Sequence, residues 1–177
     1  MNAISSCARR ALAVPAVLAA AALLAASVTT ASAASSATAP RPALPADFSG
    51  RWIFNPARSA NIGMMAGLEI HAAIEQGSAS LAVHEDSTMQ GQKSARDLRY
   101  DLGGKPVPNR SPMGDPSETV SRWEGNRLVT TWTSQGAVAG TKVVRTETRS
   151  LSPDGRTMTL ESVRGSAAPV VMVFERE

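Results

Sequence analysis

His71 and His84 are the only two histidines in the 177-residue chain, and each sits in a run of alternating apolar and polar residues. The turn between them, Gln76-Gly77-Ser78, decides what they can do. If Gly77-Ser78 is a two-residue turn, His71 lies directly across from His84 and Glu69 across from Asp86. Two imidazoles with carboxylates one pair away are ligands suited to Zn²⁺ or Cu²⁺. A four-residue turn pairs Ala73 with His84 and His71 with Asp86 instead, leaving a single histidine–carboxylate contact. Both turns keep the apolar residues Ala72, Ile74, Leu81 and Val83 on one face. By pattern the histidines occupy the outward face, so His71 and His84 are weak metal candidates and the expectation is no metal and no cofactor.

Covalent or acid–base chemistry has still less to work with. The sequence carries no Gly-x-Ser-x-Gly, no His-Glu-x-x-His and no phosphate-binding loop. Its one cysteine, Cys7, stands near the N-terminus. Glu69, Asp97 and Asp101 read as ordinary solvated charges. The expectation is therefore a protein that is not an enzyme, with no catalytic residues.

The residues best placed for recognition surround Gly125-Asn126. A two-residue loop there pairs Trp123 with Leu128, Ser121 with Thr130, and Thr119 with Trp132. That face carries two tryptophans with hydroxyls between them. Apolar surface with a few placed polar groups is how small-molecule pockets are lined. Trp52, Phe54, Tyr100, Thr119, Ser121, Trp123, Thr130, Trp132 and Phe174 are the candidate ligand-binding residues, with Met158 and Leu160 beside them. The same residues would also serve a fully packed core, in which Thr and Ser fill space and satisfy neighbours.

Short alternating runs separated by Gly, Pro, Asn and Asp clusters must position these side chains. No long stretch has a helical period, so the pattern is that of an antiparallel all-β domain. Nine strands are expected, near 49–55, 68–75, 80–86, 96–102, 117–123, 127–133, 142–151, 156–163 and 169–176. Pro56-Ala57-Arg58-Ser59-Ala60 starts a short helix in the first long connection. Met64-Met65 in the same connection is either a lid or a plain apolar anchor. The second long loop runs from Gly103 to Asp115. Alternation puts Phe48, Gly50, Trp52 and Phe54 on one face of the first strand, and Val170, Met172, Phe174 and Arg176 on one face of the last. In the 142–151 strand, Arg145, Glu147 and Arg149 are assigned to solvent and Val144, Thr146, Thr148 and Ser150 to the interior.

Residues 1–33 read as a signal peptide: Arg9 and Arg10, an apolar run from Ala11 to Ala26, and the small-residue site Ala31-Ser32-Ala33. The arginine pair leaves both general secretion and twin-arginine export open. The Ala/Pro-rich residues 34–46 form a flexible leader, and 47–177 a single domain. Loss of Arg9 and Arg10 takes the net charge from +3 to +1. That charge, without basic runs, excludes nucleic acid as an expected partner. No membrane span is expected after cleavage, and the expected location is periplasmic or extracellular.

The chain resembles the lipocalin-like, or calycin, superfamily on Gly50-x-Trp52 at the start of the first strand and Arg176 at the end of the last. Residues 47–177 further resemble a largely uncharacterised group of small exported bacterial proteins. The likeness rests on the run Asp47 to Ser59, with its Asn-Pro-Ala-Arg-Ser ending, and on the Leu151-Ser-Pro-Asp-Gly155 turn. The resemblance implies an up-and-down barrel of 8–10 strands. It also implies that Gly50, Trp52 and Arg176 close one barrel end, the arginine lying over the indole. Later lipocalin motifs are absent, so the resemblance speaks for the fold rather than an activity. The expected function is binding of a small apolar or amphipathic molecule in the barrel. The alternative is a protein-binding envelope module or protease-inhibitor-like barrel with a packed interior.

Overall fold

The computed structural model describes residues 45–177 except 113. The signal peptide and almost all of the leader lie outside the described residues.

Ten antiparallel strands follow one another: β1 (Gly50–Phe54), β2 (Leu68–Gln76), β3 (Ser80–Met89), β4 (Gln92–Asp101), β5 (Val107–Arg110), β6 (Pro116–Glu124), β7 (Arg127–Gln135), β8 (Lys142–Leu151), β9 (Thr157–Arg164) and β10 (Val170–Arg176). Each pairs with its chain neighbour except β4 with β5, and β1 also pairs with β10. The result is an up-and-down barrel, nearly closed, with one seam between β4 and β5. Two 3-10 turns, Pro56–Arg58 and Gly63–Gly67, fill the β1–β2 connection. Asn55 caps the first of these by accepting from the Arg58 N–H, and Pro56 supplies the fixed φ its start needs.

The tenth strand is β5, in the stretch expected to be loop. Its four residues include Pro108, and it is bracketed by Gly103-Gly104 and Pro116, a composition that argues against a strand by propensity. Pairing with β6 overrides that, with Val107 opposite Thr119 and Asn109 opposite Ser117. The β3–β4 hairpin is also longer than expected. Gln90 and Gly91 both take positive φ, a two-residue turn that carries the ladder out to Met89 and Gln92.

One barrel end is closed as the resemblance implied. The Arg176 guanidinium lies 4.3 Å from the Trp52 ring centre. It donates through Nε to the Gly155 carbonyl and through Nη1 to the Ser49 carbonyl. Gly50 has φ +131°, and a Cβ there would meet the Arg176 guanidinium, so the glycine is required by both backbone and space. Phe48 stacks on Trp123 at 6.0 Å, and Trp52 Nε1 donates to the Phe48 carbonyl.

Candidate functional site

All nine candidate binding residues point into the barrel. Eight are buried and Trp123 is half-buried. The hairpin register is as expected: Trp123 opposite Leu128, Ser121 opposite Thr130, Thr119 opposite Trp132. The Ser121 and Thr130 hydroxyls share a 2.9 Å hydrogen bond, and Thr119 Oγ1 donates to the Val107 carbonyl. These hydroxyls are satisfied by one another and by backbone, as buried polar groups must be.

The face assignment of β8 is overturned. Arg145, Glu147 and Arg149 point inward, and Val144 is about half exposed. The cause is register. Residues directly paired across an antiparallel ladder share a face. Arg145 pairs with Trp132, Glu147 with Thr130, and Arg149 with Leu128 on one side and Leu160 on the other. Alternation within β8 does not decide this, because both faces mix apolar and polar residues: Val143 and Leu151 stand with the charges, Val144 with Thr146, Thr148 and Ser150.

A charged network therefore lines the interior. Glu147 accepts from the Trp132 indole N–H at 2.9 Å and pairs with Arg145 at 2.9 Å, and Arg145 lies over the Trp132 ring. From the opposite direction, Arg96 of β4 donates twice to Glu85 of β3, each bond 2.9 Å. Burial works against the Arg96 charge, but the Glu85 carboxylate outweighs it and holds the guanidinium above its usual range. Arg149 stands apart. It lies 5.5 Å over the Tyr100 ring, is 6 % exposed, and has no carboxylate within ion-pair distance among the described residues. Its Nε–H has no acceptor, nor has the Nε–H of Arg145 or one Nη of Arg96. Burial pushes the Tyr100 hydroxyl up to about 12, with the Arg149 charge pulling the other way, so the phenol stays neutral.

The interior thus has two unlike walls. β10, β1 and β2 contribute Phe174, Trp52, Phe54, Ile70, Ala72 and Ile74, all apolar. β6, β7 and β8 contribute hydroxyls, Trp132 and the Arg145, Glu147 and Arg149 charges, and β3 and β4 add the Glu85–Arg96 pair. Inward-facing Leu68, Leu160 and Met172 pack against the core but remain half-buried. Leu68 directly follows the 3-10 turn that carries Met64, which is 85 % exposed.

The histidine pair does not form. The ladder sets Ala73 against His84 and His71 against Asp86, the longer of the two turns considered. His84 bonds Asp97 at 2.8 Å and His71 lies 3.4 Å from Glu177. Both histidines border a small outer cavity of about 50 Å³. No group of three or more metal-ligating side chains is placed to hold an ion among the described residues.

No family model and no curated protein matches the sequence. Solved structures do match in fold. A protein named REP1-NXSQ fatty acid transporter aligns with TM-score 0.58 at 14 % identity, over 74 % of this chain and 96 % of its own. Human cRBP IV aligns with TM-score 0.55 at 20 % identity, over 75 % and 100 %. The apo lipid binding protein 8 of Caenorhabditis elegans aligns with TM-score 0.56 at 12 % identity, over 76 % and 100 %. This chain has the calycin-like barrel fold. At such identities the likeness speaks to architecture, and the site must be argued from its own residues. Among the described residues, no helix is long and apolar enough to cross a membrane.

Proposed function

We propose that this chain is an exported, non-enzymatic barrel that holds one small amphipathic molecule with an acidic head. The apolar body lies along Phe54, Leu68, Leu160 and Met172, and the head reaches Arg149. The observation that carries this reading is the Arg149 guanidinium: buried, without a carboxylate, and with an N–H left open. Burying an unpaired charge costs several kcal/mol, roughly, and an anionic ligand atom supplies the missing partner. The neighbouring Arg145 and Arg96 already have carboxylates, so Arg149 is where a ligand's charge is needed most. Structural neighbours named as a fatty acid transporter and a lipid binding protein support the same ligand class. Export is supported by Arg9-Arg10, the apolar run that follows and the Ala31-Ser32-Ala33 site.

The test is a fluorescence titration with anilinonaphthalene sulfonate, followed by displacement with straight-chain fatty acids. Binding and displacement are expected in the wild type. Arg149→Met should weaken both about tenfold to a hundredfold, as loss of a charge-assisted hydrogen bond does. No dye response and no tryptophan change up to about 1 mM acid, a concentration that would already detect weak binding, would overturn the reading. Undiminished binding by Arg149→Met would remove the head-group assignment.

A further inference from the structure

The β4–β5 seam is held in an unusual way. Asn109 of β5 uses its side-chain amide as if it were a strand: Oδ1 accepts from the Arg99 N–H at 3.0 Å and Nδ2 donates to the Arg99 carbonyl at 2.7 Å. Nδ2 also donates to Thr119 Oγ1, which fixes the amide from the interior side. Because Arg99 turns both its backbone groups to the seam, so do the residues of the same parity, Lys93, Ala95 and Asp97. Their partners on β3 are Thr88, Asp86 and His84, which face them in the non-hydrogen-bonded positions of the ladder. The β3–β4 turn gives the same parity, since its closing pair is Met89 with Gln92. Among the described residues, the N–H and C=O groups of 93, 95 and 97 therefore have no strand beside them, and all three residues are exposed.

A groove of about 470 Å³ opens next to this edge, lined by Asp97, Arg99, Pro108, Asn109, Arg110 and Pro116. Its lining carries two guanidiniums against one carboxylate, so the balance is basic. The Asp97 carboxylate is already occupied by His84 at 2.8 Å. Neither the Arg99 nor the Arg110 guanidinium has a carboxylate partner among the described residues, although Arg110 donates to the Gly114 carbonyl. A free strand edge is a template for another strand.

We infer that this seam is a docking site for an extended acidic peptide, which would add a strand to the upper edge of β4. Its backbone would pair with residues 93, 95 and 97, and its carboxylates would meet Arg99 and Arg110. Main-chain bonds supply affinity in this mode and alternate side chains supply specificity. The site is on the outer surface and is independent of any interior ligand.

The probe is a fluorescein-labelled peptide of about six alternating valine and glutamate residues, followed by anisotropy. Saturable binding is expected near 100 μM, roughly the strength of a short added strand. Ala95→Pro removes one edge N–H at an exposed position and should weaken binding about tenfold or more. Arg99→Glu/Arg110→Glu should abolish it. Melting curves establish that each variant folds, and dye binding in the barrel should be unchanged in both. No anisotropy rise up to about 1 mM peptide, or an equal rise with Ala95→Pro, overturns the inference. A wild type that sediments as a dimer, with Ala95→Pro a monomer, gives the edge to a second copy and overturns it as well.

Discussion

The two walls of the barrel solve burial by different physics. On β10, β1 and β2, side chains such as Trp52, Ile74 and Phe174 ask nothing of each other beyond contact. On β6, β7 and β8, each buried group needs a particular partner: Ser121 has Thr130, Trp132 has Glu147, and Glu147 has Arg145. The apolar wall is stabilised by area removed from water. The polar wall contributes little net stability and is costly when left incomplete. Arg149 is where it lacks a carboxylate among the described residues. Under the proposed function, that difference leaves stability to one wall and recognition to the other.

The largest test of this contrast is Trp52→Ala. It empties a fully buried site on the apolar wall and should cost about 3–5 kcal/mol in a denaturant melt, with no effect specific to ligand. A loss below about 1 kcal/mol would show that the closed end is loosely packed. Glu147→Leu comes next. It leaves the half-buried Arg145 without its carboxylate and the buried Trp132 N–H without its acceptor, and should cost about 3 kcal/mol. Arg149→Met should act in the opposite direction, stabilising the ligand-free protein by about 1–2 kcal/mol, because a buried charge is replaced by a side chain that packs. If Arg149→Met destabilises instead, the guanidinium is a structural member of the polar wall and the contrast fails.

The smallest effect lies outside both walls. Asp97, and after it the Asp86 charge, raises the pKa of His84 above its ordinary 6.5. A raised folded pKa means the protonated form favours the fold. This contribution is full below the unfolded value and fades as pH rises through the folded one. Melting temperatures of wild type and His84→Gln, compared from about pH 5 to about pH 9, should therefore converge on the alkaline side. A constant difference across that range would show that the histidine acts through packing rather than charge.

Much of the apolar wall is legible in the sequence. Alternation places Trp52, Phe54, Ile70, Ala72, Ile74 and Phe174 inward, because on each strand the large apolar residues concentrate on one face. The Gly125-Asn126 turn fixes the β6–β7 register from its own chemistry, and Gly50, Trp52 and Arg176 mark the closed end before any packing is known. The polar wall is not legible in the same way. Both faces of β8 carry polar residues, so its orientation is set by Trp132, Leu128 and Leu160 on the strands beside it. The β2–β3 register was open between two turns, and the ladder chose the one that separates His71 from His84. β5 has too little strand propensity to announce itself, and exists because β6 is there to pair with. The sequence by itself determines the strands whose periodicity is unambiguous and the turns whose glycines permit one geometry. The tertiary structure decides where a charge goes when local pattern allows either face, since a long-range ladder fixes every side chain on a strand at once.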